Sequence, residues 1–163
     1  MNLLFLRHGE ALDGSLYQDS ERPLSTRGTQ QAAAVGRFLR EQGIHPGLIL
    51  CSPLVRARRT AEEVQRAVGA TPIQTTECLA SSSDPHAILL ELRMLGQETV
   101  LMIGHEPHLS KTISVLLGVD TRSRVEMKTC SLAYVVTTAE PAPGAGIFRW
   151  LIPSNVTLGE HSR

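Results

Sequence analysis

The sequence predicts an α/β fold: a three-layer αβα sandwich with a mainly parallel central sheet, helices on both faces and an antiparallel C-terminal edge. Two observations carry this. Three short apolar runs, Asn2-Leu6, Leu48-Cys51 and Thr99-Ile103, are nearly continuous in hydrophobicity, as strands buried on both faces are, and each precedes a helical pattern. Such alternation argues for parallel strands with helical crossovers. The end of the chain differs: Ser131-Thr138 and Ile147-Ile152 flank the turn-rich segment Ala139-Gly146 and read as a hairpin or edge strand.

The helices follow in order. Ser25 is a good N-cap for the first, with Ala32, Val35, Phe38 and Leu39 facing inward and Gly43 ending it. The second is expected to start with Ser52 as N-cap and Pro53 at the first helical position, carrying the stripe Ala57, Ala61, Val64 and Val68. The third repeats the device with Asp84-Pro85 ahead of Ile88, Leu89, Leu92 and Leu95. A fourth starts near Pro107 and buries Leu109, Ile113, Leu116 and Leu117. One domain spanning 1–163 is expected, with a core over 1–152 and a surface tail over 153–163.

The chain has 163 residues, enough for a real core, and Lys+Arg equals Asp+Glu at 16 each. That balance argues against nucleic acid or an anionic membrane surface as partner, so any anion site must come from local clustering. Leu3 to Leu6 is too short for a signal-peptide core or a membrane span. Cys51, Cys78 and Cys130 are odd in number and lack zinc-type spacing, which points to a reduced, cytoplasmic setting. A monomer is expected.

In open parallel sheets, ligands bind at the carboxyl ends of the strands. Here the first strand ends at Arg7-His8, the third at Gly104-His105, and the second at Cys51-Ser52-Pro53, just ahead of Arg56. If those strands are neighbours, two arginines and two histidines share one crevice beside a helix N-terminus, and phosphate is the ligand that suits it. Asp19 and Arg22 lie in the loop after the first strand. They read either as part of a segment closing over the site and contacting substrate, or as a mutual surface ion pair. Arg58 and Arg59 read as a solvated helix face that could also steer an acidic partner. His45, His86 and His161 have no partner pattern and read as surface residues. His108, three residues after His105, lacks a third ligand at metal-binding spacing, so no metal site is expected.

The stretch Leu6-Arg7-His8-Gly9-Glu10-Ala11 resembles the signature of the histidine phosphatase superfamily, also called phosphoglycerate mutase-like. Four further stretches agree in order: Arg22-Pro23-Leu24; Leu24-Ser25 with Gly28 and Gln31-Ala32; Ser52 to Ala57 with Thr60; and Val100 to His105. The resemblance implies a metal-independent phosphatase without cofactor. His8 would be the nucleophile, transiently phosphorylated, and Arg7, Arg56 and His105 would clamp the phosphoryl oxygens, with Gly9 letting the backbone turn closely beneath them. Neighbouring guanidiniums would keep His8 neutral.

Larger members of the family insert a cap between the second arginine and the second histidine, and the short span from Arg56 to His105 leaves no room for one. In length and second motif the chain resembles SixA-type phosphohistidine phosphatases. The implied partner is a phosphorylated protein such as a histidine-containing phosphotransfer domain. The alternatives are a phosphomonoesterase for small sugar or nucleotide phosphates, or a non-catalytic phosphate-binding adaptor. Many members use a carboxylate proton donor after the second helix. Glu77 and Asp84 are the candidates, Asp84 reading more simply as an N-cap, while Glu10 and Glu106 either orient the histidines or are solvated.

Overall fold

The computed structural model describes residues 1–120 and 125–159. Its centre is a six-stranded sheet. The strands are β1 (Asn2–Arg7), β2 (Leu48–Cys51), β3 (Ile73–Thr75), β4 (Thr99–Gly104), β5 (Leu132–Thr137) and β6 (Gly146–Ile152), in the order β3-β2-β4-β1-β5-β6. The first four run parallel, and β5 pairs antiparallel with both β1 and β6. The expected mixed α/β architecture is thus present.

Period-two alternation divides the sheet residues between two cores. Leu3, Phe5, Leu50, Val100 and Met102 face one way, against α3 (Pro85–Met94) and α4 (His108–Leu117). Leu4, Leu6, Ile49, Cys51, Leu101 and Ile103 face the other, against α1 (Thr26–Glu41) and α2 (Val55–Val68). Each fully buried leucine or phenylalanine contributes about 1.5–3 kcal/mol. The two-sided burial explains why these strands read as unbroken apolar runs.

Ser25 caps α1 by accepting from the Gly28 N–H, and Gly43, at φ 66°, follows its end. Asp84 caps α3 with Pro85 behind it. Two expectations are corrected, and one strand is new. The helix after β2 begins at Val55 with Leu54 as N-cap, because the Ser52 hydroxyl is turned to a tertiary partner instead. Strand β3 was not foreseen, since Ile73 is its only apolar residue and Gln74 and Thr75 are exposed. The stretch expected as a surface tail instead forms α5 (Ser154–Thr157), which lies half-buried on α1 with Gln31 Nε2 donating to Ser154 Oγ at 3.4 Å. Residues 160–163, His161 among them, lie outside the described part.

The loop after β1 meets α1 at a contact that only glycine allows. A Cβ on Gly28 would lie 2.0 Å from the Glu10 carbonyl oxygen, and one on Gly9 would lie 2.6 Å from the Gly28 oxygen. The missing side chain at Gly9 therefore lets this loop pack against α1. Gly28→Ala is expected to cost about 1–3 kcal/mol, as overpacking does. For a chain of this size that lowers the melting temperature by about 2–12 °C. Calorimetry checks this; an unchanged melting temperature would mean the loop shifts without cost.

Candidate active site

Strand register assembles the site. Arg7 of β1 stands opposite Gly104 of β4, and Cys51 of β2 opposite Ile103. The ladder runs one residue further, with His8 N–H donating to Gly104 O and Ser52 N–H to Ile103 O. His8, Ser52 and His105 thus emerge together at the carboxyl end of the sheet. Arg56 joins them from the first turn of α2, where Thr60 Oγ1 donates to its carbonyl and accepts from the Gly9 N–H, pinning helix to loop.

Arg7, His8, Arg56 and His105 all line one crevice of about 380 Å³. The His8 Nδ1 lies 2.7 Å from the Gly9 carbonyl, and a carbonyl can only accept, so Nδ1 carries the proton. That leaves a lone pair on Nε2, toward which Arg56 Nε–H points at 3.3 Å. The two imidazoles are 4.9 Å apart between centroids, tilted by 54°. His105 Nε2 is 2.8 Å from Ser52 Oγ, while its Nδ1 is buried without a partner. Arg7 donates through one terminal nitrogen to the Met127 carbonyl, and its Nε is likewise buried and unpartnered.

Both histidines are held neutral. Burial is the largest cause for His8, the Gly9 carbonyl opposes it, and Arg56, Arg7 and Arg22 add to the depression, bringing the pKa to about 4. The guanidiniums act as expected, but burial leads. For His105, burial again comes first, then His8 and Arg56, and the pKa falls to about 3.

Asp19 and Arg22 sit at the rim and do form an ion pair, at 3.3 Å. Asp19 also reaches the site itself: its Oδ2 accepts from Arg56 at 3.2 Å and its carbonyl from another Arg56 nitrogen at 2.6 Å. Partial burial works to raise its carboxyl, and Arg56 and Arg22 outweigh that, so it lies below the usual range. All three nitrogens of Arg56 are therefore engaged, one on His8 and two on Asp19.

Of the four carboxylates considered from sequence, three are hydrogen-bonded at helix starts. Glu10 accepts from the Ser25 hydroxyl at the start of α1, and Glu106 accepts from the Ser110 N–H and hydroxyl in α4, though both border the crevice. Glu77 is exposed and does not line it, and Asp84 is the α3 cap. Arg59 pairs with Glu62 on the exposed face of α2, and Arg58 is exposed beside it. His45 and His86 are exposed, and His108 is buried in α4. Among the described residues, no three His, Cys, Asp or Glu side chains stand together as a metal site. None of their helices is long and apolar enough to cross a membrane.

Ser52 and Cys130 were not foreseen as site residues. Cys130, at φ 52°, donates its N–H to the carbonyls of Arg7 and His8 and so shapes the strand end; burial pushes its thiol up to about 12, which keeps it inert. Thr60 was visible only through its place in the motif around Arg56.

The chain is similar to known proteins in sequence and in fold. The model of the histidine phosphatase superfamily (branch 1) matches residues 3–82, which include His8 and Arg56. The phosphohistidine phosphatase SixA of Escherichia coli K12 is 30% identical over 166 residues, covering 98% of this chain and 99% of that protein. A solved structure of the protein histidine phosphatase SixA complexed with tungstate superposes with a TM-score of 0.84 at 28% identity, over 94% of this chain and 97% of that one. A phosphoserine phosphatase from Entamoeba histolytica, a mutant bound to phosphoserine, shares the fold at a TM-score of 0.71 and 15% identity, over 94% and 97% of the two chains. The chain belongs to the histidine phosphatase superfamily and is a phosphatase of the SixA type.

Proposed function

We propose that this phosphatase hydrolyses phosphohistidine carried on another protein, through a phosphorylated His8. The observation that carries the reading is the His8 ring. Its Nδ1–H is tied to the Gly9 carbonyl, and its Nε2 lone pair faces a cationic crevice. Nε2 attacks phosphorus, the bond from phosphorus to the substrate imidazole breaks, and the imidazole leaves. Water then attacks the same phosphorus, the bond to Nε2 breaks, and inorganic phosphate departs. Arg7, Arg56 and His105 hold the phosphoryl oxygens, since phosphoryl transfer needs positioning and charge stabilisation above all. Arg22 extends the cationic rim. Asp19 touches Arg56 where an anion would bind, so it acts by holding that guanidinium and yields its place to the phosphoryl group.

Two features support a protein substrate over a metabolite. Between α2 and β4 the chain has only β3, a 3-10 turn at Glu77–Leu79 and α3, with nothing to cap the crevice. Of the carboxylates at the site, Glu10 and Glu106 are tied to helix starts and Asp19 to Arg56, and a phosphoramidate, leaving as imidazole, needs less protonation by the protein than an alkoxide does. On this reading the chain is one domain working as a monomer in the cytoplasm, and its three free cysteines suit a reducing compartment.

The test is a kinetic panel. A phosphorylated histidine-containing phosphotransfer domain is expected to give kcat/KM about 100-fold or more above sugar phosphates, nucleotide phosphates and p-nitrophenyl phosphate, a transition-state difference of about 2.7 kcal/mol. Equal efficiency on small esters would remove the protein substrate. Phosphate binding without turnover of any substrate would leave only a phosphate-binding adaptor.

A further inference from the structure

We propose that Ser52 is a positioning residue that sets the tautomer of His105, and thereby makes His105 Nδ1–H a donor to the phosphoryl group. The proposal rests on the reading above, in which His105 clamps phosphate.

The hydrogen-bond partners of Ser52 decide the tautomer. Ser52 is fully buried, and its Oγ has two neighbours: the Leu54 N–H, which can only donate, at 3.4 Å, and His105 Nε2, at 2.8 Å. A hydroxyl has one proton to give. If His105 carried its proton on Nε2 and donated to Ser52, the serine O–H would have no acceptor among these neighbours. The lone pair on His105 Nδ1 would also stay buried and unpartnered. Two polar atoms would then be unsatisfied. If Ser52 donates to Nε2 instead, the hydroxyl is satisfied on both sides and only the Nδ1–H remains without a partner. Because each unsatisfied buried group is penalised, the second arrangement prevails.

The one remaining atom is a donor, on a histidine bordering the crevice and packed against the nucleophile's ring. An oxyanion satisfies it, and a bare lone pair would repel one. The two imidazoles thereby take complementary parts from the same tautomer. The Gly9 carbonyl fixes the proton on Nδ1 of His8, leaving its Nε2 as nucleophile. Ser52 fixes the proton on Nδ1 of His105, making that nitrogen a donor. Neither ring has to become cationic, which accords with the depressed basicity of both.

The tautomer can be read in the free protein. Long-range 1H–15N spectra of protein labelled with 15N-histidine, the His105 signals being identified by their loss in His105→Gln, are expected to show a protonated Nδ1 and an unprotonated Nε2. Ser52→Ala is expected to move His105 toward the Nε2–H form and to lower kcat/KM about 10-fold to 100-fold, somewhat less than deleting an oxyanion donor outright. Ser52→Thr, which keeps the hydroxyl, is expected to restore both. A wild-type spectrum with the proton on Nε2 overturns the proposal, whether or not Ser52→Ala folds, and so does a tautomer unmoved in that variant. If the tautomer shifts while turnover stays at the wild-type rate, Ser52 controls the proton but His105 does not clamp phosphate, and that part of the functional reading falls instead.

Discussion

Replacing His8 with alanine is expected to abolish turnover, lowering kcat by about 10⁴-fold or more, as removal of a covalent nucleophile does in other hydrolases. The effect should be this large because, among the described residues, Nε2 of His8 is the only unprotonated ring nitrogen held toward the cationic crevice, and Ser52 and Cys130 offer no substitute. Ser52 is wholly buried, and the Cys130 thiol, raised to about 12, stays protonated. Binding of inorganic phosphate should survive within a few-fold, since Arg7, Arg56 and His105 remain. In the wild type, a pulse of labelled substrate quenched in base is expected to leave a base-stable label on His8; no label in enzyme that turns over would count heavily against the covalent route. The acid limb of the rate should report the same residue. His8 attacks only when neutral, and its pKa lies near 4, so kcat/KM should hold from pH 7 down to about 5 and fall below about 4. A loss of activity that follows an ordinary histidine near pH 6.5 would mean that the ring is more accessible to water than its burial indicates.

How much of this could be read from the sequence depended on where each constraint originates. The strands β1, β2 and β4 were legible because both of their faces are covered, which forces unbroken apolar runs such as Leu3-Leu6. Strand β3 left no such pattern, being an edge strand paired only with β2 and mostly exposed. Arg7, His8, Arg56 and His105 were legible for a related reason: parallel strands deliver their last residues to one end of the sheet, so adjacency in space followed from adjacency to strand ends. The contacts that complete the site were set by tertiary geometry. Ser52 precedes a proline, as an N-cap would, and nothing local reveals that its hydroxyl turns to a histidine more than fifty residues along the chain. Asp19 meets Arg56 only because 3-10 turns at Gly14–Leu16 and Asp19–Glu21 fold the loop back over α2. Cys130 reaches the His8 carbonyl from the turn before β5, on the far side of the chain in sequence.

The second large effect is expected at Arg56, and the informative change there is to lysine. Arg56 uses its Nε toward His8 and its two terminal nitrogens on Asp19, while its side chain is 8% exposed. A planar guanidinium spans those three directions at once. A lysine ammonium is a single point charge that keeps the sign and loses the fork, so at such a site the exchange is not conservative. If Arg56 acted only through its charge, Arg56→Lys would be nearly silent. If it acts as a fixed fork aimed at the phosphoryl oxygens, kcat/KM should fall by about 10²–10³-fold, the range for removing one preorganised donor. Asp19 should respond in the same variant: with its main hydrogen-bond partner gone, its carboxyl should titrate closer to the ordinary carboxylate range, which NMR titration reads directly. Arg59→Lys supplies the comparison, because Arg59 is exposed, pairs with Glu62 on the outer face of α2, and should leave turnover unchanged. An Arg56→Lys enzyme as active as Arg59→Lys would take Arg56 out of the phosphate site. A loss of the expected size, with a matching loss in affinity for inorganic phosphate, would place the guanidinium on the phosphoryl group and leave Asp19 as the anion that holds it ready beforehand.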